Sequence, residues 1–376
     1  MKILITGGAG FIGSHLADKL VENEKYEVTI FDILEEQVHG DSKLPPSYLN
    51  PKAEFVLGSV TDYEVFKDLV TESDVIFHLA AMVGVGQSMY QIEKYTNHNI
   101  LGIGNFMDIL VNSEHDIQKV IIASSNTVYG EGKYKCDNCG TVYPPLRSEN
   151  QLKRKQWHLR CPNCSSKVEA IYTDETTPLN PSSIYAFSKE AQERIGLMIG
   201  NTYGIKTSVL RFFLVYGPRQ SINNPYTGVC GIFASRIFSG KAPLVFEDGN
   251  QTRDFVHVSD ICQGLTLAMN SKAANGEIFN LGTGIPISII EVANIISNKI
   301  NPKIKPKITN SYRVGDIRHC VAEISKIKSK LGYTPEMNFR DGIETFIKWV
   351  QKKDLKNLQK SKNAIKELEE KKLIKN

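Results

Sequence analysis

The feature that most constrains this chain is a glycine-rich turn set between a short apolar run and a helical pattern. Lys2-Ile3-Leu4-Ile5-Thr6 reads as a strand, Gly7-Gly8-Ala9-Gly10-Phe11-Ile12-Gly13 as the turn, and the residues from Ser14 as a helix. Glycines at such a junction let the backbone turn tightly and approach a pyrophosphate, while the helix N-terminus offers free N–H groups and a favourable dipole. The spacing satisfies both G-x-G-x-x-G (Gly8, Gly10, Gly13) and G-x-x-G-x-x-G (Gly7, Gly10, Gly13). Asp32 closes a second strand, Glu27 to Phe31, 19 residues after Gly13. A carboxylate there accepts hydrogen bonds from ribose hydroxyls and repels a 2′-phosphate. No Arg or Lys follows in Ile33-Leu34-Glu35-Glu36-Gln37, so NAD is expected rather than NADP.

Further apolar runs at Glu54–Leu57, Val75–Leu79, Val120–Ala123 and Thr207–Arg211 alternate with helical stretches. This alternation predicts an α/β fold: a doubly wound parallel-sheet Rossmann domain over residues 1–216, interrupted by an insert at 131–173. Beyond residue 217 the alternation loosens, and 217–350 is expected to form mainly a smaller C-terminal α/β substrate domain. Residues 351–376 read as a charged, solvated helical tail with a fraying end. With 41% hydrophobic residues in 376, the chain can bury a sizeable core. A net charge of +4 gives no reason to expect a nucleic acid or a membrane surface as partner. No apolar run approaches the roughly 18 residues of a membrane span. No signal peptide is visible, so a soluble, cytoplasmic protein is expected.

Tyr185 and Lys189 stand at i and i+4, on one face of a helix. An ammonium near a phenol favours the phenolate, which suits a general base. Upstream, Ser124-Ser125-Asn126-Thr127 follows the apolar strand at Val120–Ile122. In a doubly wound sheet the strand C-termini face the ligand crevice.

Together with these residues, His78-Leu79-Ala80-Ala81, Leu210-Arg211-Phe212-Phe213, Tyr216-Gly217-Pro218-Arg219, Arg253-Asp254-Phe255-Val256-His257-Val258 and Arg313-Val314-Gly315-Asp316-Ile317-Arg318 resemble the extended short-chain dehydrogenase/reductase family. Within it the chain looks like the nucleotide-sugar 4-epimerases, most closely the dTDP-L-rhamnose 4-epimerase group. That finer likeness rests on Gln37-Val38-His39-Gly40, Val83-Gly84-Val85-Gly86-Gln87-Ser88-Met89-Tyr90, Asn224-Pro225-Tyr226-Thr227-Gly228-Val229 and the cysteine-rich insert. The resemblance implies catalytic roles for Ser125, Tyr185 and Lys189, with Lys189 holding the nicotinamide ribose. It implies cofactor binding by Gly7, Gly10, Phe11, Ile12, Gly13, Asp32, Ser59, Val60, Leu79, Ala80, Ala81, Asn99, Tyr185, Lys189, Phe212 and Val215. For the substrate it implies Val83, Gln87, Ser125, Leu214 and Val229, with Arg253 and Arg318 on the nucleotide diphosphate. NAD would be regenerated each cycle and held tightly, and the helices around 97–112 and Tyr185 would form a homodimer.

Two departures stand out: Leu214 replaces a usual asparagine, and Ser59 a common aspartate. Sugar 4,6-dehydratases of the family carry Thr-Asp-Glu where this chain has Ser125-Asn126-Thr127. Eliminating water needs an acid and a base beyond the tyrosine, and Asn126 and Thr127 supply neither. With dehydration disfavoured, the resemblance implies 4-epimerisation of a dTDP-6-deoxyhexose such as dTDP-L-rhamnose, with a UDP-glucose or UDP-GlcNAc 4-epimerase as the near alternative. A non-catalytic NAD-binding sensor is the alternative from another class, and it has no need of an activated phenol.

Of seven cysteines, Cys136, Cys139, Cys161 and Cys164 form two C-x-x-C knuckles 21 residues apart, while Cys230, Cys262 and Cys320 stand alone. Four thiolates can surround Zn²⁺ tetrahedrally with no open position, which predicts a structural zinc ribbon. A segment this short scarcely builds its own core, so the metal would supply folding energy. Lys153-Arg154-Lys155 and Trp157 raise a nucleic-acid role only weakly, and none is expected. The insert joins the serine strand to the tyrosine helix, so we expect it to shape or cover the sugar site.

Overall fold

The computed structural model describes residues 1–222, 228–352 and 367–375. Its central sheet is built from β1 (Lys2–Thr6), β2 (Glu27–Asp32), β3 (Glu54–Leu57), β4 (Val75–His78), β5 (Lys119–Ser125), β6 (Thr207–Phe212) and β7 (Ile278–Leu281). The strand order is β7-β6-β5-β4-β1-β2-β3, and every pairing is parallel. The order reverses direction at β1, so the crevice opens where β1 and β4 part above their C-terminal ends.

Side chains alternate across each strand, and the two sets bury against different helices. Ile3, Ile5 and Ile121 pack with Leu16, Ala17 and Leu20 of α1 (Phe11–Leu20) and with Ile261, Leu265 and Ala268 of the helix Val258–Asn270. Leu4, Ile76, Val120 and Ile122 pack on the opposite face with Phe66, Val70, Ile103, Phe106 and Leu110. The last three belong to α2 (Gly102–Asn112), which lies beside α3 (Ile184–Tyr203). This is the doubly wound sheet expected from the sequence.

A second core gathers Phe233, Ile237, Val292, Ile296, Phe346 and Val350 from the helices Val229–Phe238, Ile289–Ile300 and Phe339–Gln351, with Phe255 from the strand Thr252–His257. It backs a small sheet in which Thr252–His257 pairs with Leu214–Tyr216, Pro286–Ser288 and His319–Cys320. The segment 217–350 is not one unit, because the helix 258–270 and β7 within it return to the central sheet.

The insert forms an antiparallel three-stranded sheet in the order Gly140–Val142, Tyr134–Cys136, Glu169–Ala170. Its core is only Tyr134, Cys136, Val142, Leu159 and Cys161. Of the expected tail, 353–366 lie outside the described residues, while Ile374–Lys375 pairs antiparallel with Tyr312–Arg313. Among the described residues no helix is long and apolar enough to cross a membrane.

Candidate active site

The crevice is a cavity of about 470 Å³, and its floor is the glycine turn. Gly7 has φ +69, and a Cβ there would lie 2.9 Å from Ala80 Cα. A Cβ at Gly13 would lie 2.5 Å from the Gly7 carbonyl, so the turn closes only with glycine at both points. Gly10 caps α1 with no side-chain hydrogen bond, leaving the helix N-terminus free to meet an anion. Asp32, at the end of β2, is buried. Its Oδ2 accepts from the Ala9 N–H at 3.0 Å and its Oδ1 from the Leu34 N–H at 2.9 Å. Burial pushes this carboxyl up, against the pull of those backbone donors. An ionised carboxylate with two such bonds retains acceptor sites for ribose hydroxyls. The cradle, the open helix end and Asp32 together fit a dinucleotide.

Ser125, Tyr185 and Lys189 meet at the other end of the same cavity. Ser125 ends β5 and caps the short helix Asn126–Tyr129, accepting from the Thr127 N–H and hydroxyl at 3.2 and 3.0 Å. Its hydroxyl stands near enough to the Tyr185 phenol to pull that group's pKa down. Ser183 caps α3 and fixes its first turn, where the Tyr185 N–H donates to Ser88 Oγ at 3.0 Å. One turn on, Lys189 Nζ donates to the Ala123 carbonyl at 2.9 Å and to Gln192 Oε1 at 2.8 Å. Tyr185 is 8% exposed and Lys189 3%. Burial pushes the phenol up to about 12, with the Ser125 hydroxyl opposing, and lowers the ammonium to about 7. The i, i+4 spacing sets Lys189 one turn from Tyr185, and burial and the Ser125 hydroxyl are what shift the phenol here. Burial favours the neutral form of both, and a cation entering the cavity would favour the phenolate.

Of the predicted cofactor residues, all but Asn99 line the cavity. Asn99 lies behind its wall: Oδ1 accepts from the Met82 N–H at 2.8 Å, and Nδ2 donates to Ser188 Oγ at 2.9 Å. It ties the β4 exit loop to α3. Val83, Gln87, Ser125 and Leu214 line the cavity as well. Val229, Arg253 and Arg318 are not brought to its wall. Val229 opens a helix just beyond Gly228, which does line it; Asn224–Thr227 lie outside the described residues. Arg253 donates to Asp316 Oδ1 at 3.1 Å and to the Arg318 carbonyl at 3.0 Å. Arg318 is fully buried and donates to Glu247 at 2.7 Å and Asp248 at 2.8 Å. Both guanidinium groups are engaged by the chain's own carboxylates.

Sequence reasoning missed a cover over the cavity. The short helix Glu36–His39 is held there by Gln37 and Gln87, whose amides exchange hydrogen bonds at 3.1 and 2.8 Å. Lys94 pairs with Glu35 at 2.6 Å, and Ser221 donates to the Val38 carbonyl at 3.3 Å. Nothing in a linear pattern pairs residues 50 apart. Also missed was Glu193 on α3, which accepts from Ser124 and forms a buried two-toothed ion pair with Arg211 on β6 at 2.9 and 2.7 Å.

In the insert the four thiol sulfurs of Cys136, Cys139, Cys161 and Cys164 lie within 4.8 Å of one another. Cys136 and Cys164 are 3.6 Å apart, far beyond a disulfide and close to the spacing of two ligands on one ion. No residue of 131–173 lines the cavity. The insert instead packs on the second domain. Trp157 is buried against Tyr312, with ring centroids 6.4 Å apart, so it offers no ring for stacking on a base. Arg147 meets Glu247 at 2.8 Å.

Known proteins share this architecture along the length of the chain. A curated relative, the dTDP-L-rhamnose 4-epimerase of Burkholderia thailandensis, is 32% identical over 95% of this chain and 97% of its own. A putative UDP-glucose 4-epimerase of Methanocaldococcus jannaschii is 34% identical over 93% and 98%. The solved UDP-glucose 4-epimerase of Thermotoga maritima, bound to UDP-glucose, superposes with a TM-score of 0.77 at 29% identity, covering 94% of this chain and 99% of that one. Residues 3–282 match the profile described as the NAD dependent epimerase/dehydratase family. With a glycine cradle, a buried Ser–Tyr–Lys set and a match of this extent, the chain belongs to the NAD-dependent epimerase/dehydratase family and is a nucleotide-sugar enzyme of its 4-epimerase branch.

Proposed function

We propose that the protein inverts C4 of a dTDP-6-deoxyhexose such as dTDP-L-rhamnose. Bound NAD supplies the hydride acceptor and donor and, when oxidised, a positive charge that favours the phenolate. Tyr185 takes the proton of the 4-hydroxyl and later returns it. Ser125 hydrogen-bonds the reacting oxygen and, through Thr127, stays fixed at the end of β5. Lys189, its ammonium anchored on the Ala123 carbonyl and Gln192, holds the ribose end of the cofactor. The 4-keto sugar turns over against the apolar side chains of Val83, Phe213 and Leu214. The amide pair of Gln37 and Gln87 supports tight retention of the cofactor, since it closes the cavity over the cradle.

The observation that carries this reading is what surrounds Ser125. Among the described residues, the carboxylates lining the cavity are Asp32 and Glu35, the first held by backbone N–H groups and the second by Lys94. Asn126 and Thr127 occupy the places beside Ser125, so elimination of water has no acid–base pair to use. The 32% identical dTDP-L-rhamnose 4-epimerase supports the dTDP sugar, and the similar UDP-glucose 4-epimerases support a UDP-hexose as the second reading. A panel of dTDP- and UDP-sugars followed by NMR should show inversion at C4, fastest with dTDP-L-rhamnose. Tyr185→Phe should retain NAD and lose activity by roughly 10²- to 10⁴-fold. Loss of water or carbon dioxide, or undiminished turnover in Tyr185→Phe, overturns the reading.

We also propose that the four thiolates hold one structural Zn²⁺ and that the protein is a homodimer.

A further inference from the structure

The chain's last described segment, residues 367–375, is rich in Glu and Lys, yet Leu368 and Ile374 within it are each only 7% exposed. Leu368 lies over Gly86: a Cβ added at Gly86 would stand 3.1 Å from Leu368 Cδ2. Lys371 Nζ sits 5.6 Å from the centre of the Tyr90 ring. The segment then turns, with the Leu373 N–H donating to the Leu368 carbonyl at 2.8 Å, and leaves as a strand. That strand pairs Ile374 with Arg313, and the Val314 N–H donates to the Leu373 carbonyl at 3.0 Å. Lys375 ends it on Glu149 of the insert at 2.7 Å. One short segment thereby touches the second domain, the cysteine insert and the loop around Gly86.

That loop belongs to the site. Val83, Gly84, Val85 and Gln87 line the cavity, and Ser88 accepts the Tyr185 N–H at 3.0 Å. It has little support of its own: its helix spans only Val85–Ser88, and Val83, Val85 and Met89 are exposed. We propose that the C-terminal segment is a brace for this substrate loop, with Leu368 as its positioning residue, so that the end of the chain sets affinity for the sugar nucleotide without touching it. The inference rests on the reading of the cavity as a nucleotide-sugar site. A four-residue helix cannot hold its shape by its own hydrogen bonds. Leu368 fills the space left by the missing side chain at Gly86, and the strand pairing and the Lys375–Glu149 contact fix where Leu368 stands.

The test uses the full-length protein, Leu368→Ala, and a variant lacking residues 367–376. KM for the nucleotide sugar should rise about tenfold in both variants, with kcat within roughly twofold of the parent, the signature of lost ground-state positioning. NAD content should not change. Amide exchange should quicken at Ser88, Met89, Tyr90 and Gln91, whose N–H groups close the loop onto Gly84, Gly86 and Gln87. Unchanged KM, a fall in kcat alone, or exchange that quickens evenly across the whole chain overturns the brace. Should the intact protein invert no sugar, the epimerase reading fails while the exchange measurement still decides whether the segment braces the loop.

Discussion

Glu131 accepts the Arg318 N–H at 2.7 Å with one carboxyl oxygen, while the other finds no hydrogen-bond partner, 3.6 Å from Arg147 Nε. Asp32 and Glu193, also buried, are better served: the first by backbone donors to both oxygens, the second by the Arg211 guanidinium. The difference shows in the proton. Burial pushes Glu131 up to about 7, against the opposing pull of Arg147. Between the ordinary carboxyl value of 4.5 and about 7, the folded protein holds a proton that the unfolded chain has released. This contribution to stability is therefore complete below pH 4.5 and lost as pH rises through 7. It amounts to about 3 kcal/mol. Urea unfolding of Glu131→Gln at pH 5 and pH 8 should show a smaller difference between the two pH values than the parent does. Equal differences would place the titration elsewhere.

At the scale of elements, what was legible followed from periodicity and local spacing. The glycine turn announced itself because only glycine closes it, and six of the seven strands of the central sheet because apolar residues run through them; Ile278–Leu281 was not picked out, lying where the alternation loosens. The C-x-x-C knuckles, too, are local. What stayed hidden depends on partners far along the chain. Ile374–Lys375 became a strand because Tyr312–Arg313 offers it an edge, which no charge pattern reveals. An arginine in a motif does not show whether it will meet a ligand or a carboxylate, and Arg253 and Arg318 meet Asp316 and Glu247. The insert combines both cases. Its cysteines were readable, yet its docking through Arg147 and Trp157 was not, and it stands on the second domain without lining the cavity. The five-residue core under its three short strands is too small to stabilise them, so a bound metal would carry that burden. Elemental analysis should find one zinc per chain. Chelation or Cys161→Ser should then unfold the insert, seen as lost protection of the Tyr134–Cys136 amides, while the central sheet keeps its own. A metal-free insert with native protection would refute the zinc assignment.

For the whole molecule, the remaining question is what covers the outer side of the α2–α3 layer. These helices bury one face on the sheet through Ile103, Phe106, Leu110, Ile195 and Ile199. The layer nevertheless leaves Leu101 48%, Phe187 52% and Met198 64% exposed. Phe187 and Met198 are 11 residues apart on α3, three helical turns, and so share a face. A row of large apolar side chains along a two-helix layer suits a second copy packed about a twofold axis, which buries the same row from both sides. Tyr185 lies near the start of the same helix, so such a contact would also steady the catalytic turn. Sedimentation should show a dimer, and Met198→Glu with Phe187→Glu should convert it to a monomer by placing four unpaired carboxylates in one apolar seam. A parent that sediments as a monomer, or a double variant that remains dimeric, would remove α3 from the interface. The brace at the chain's end would be unaffected, because it acts within one chain.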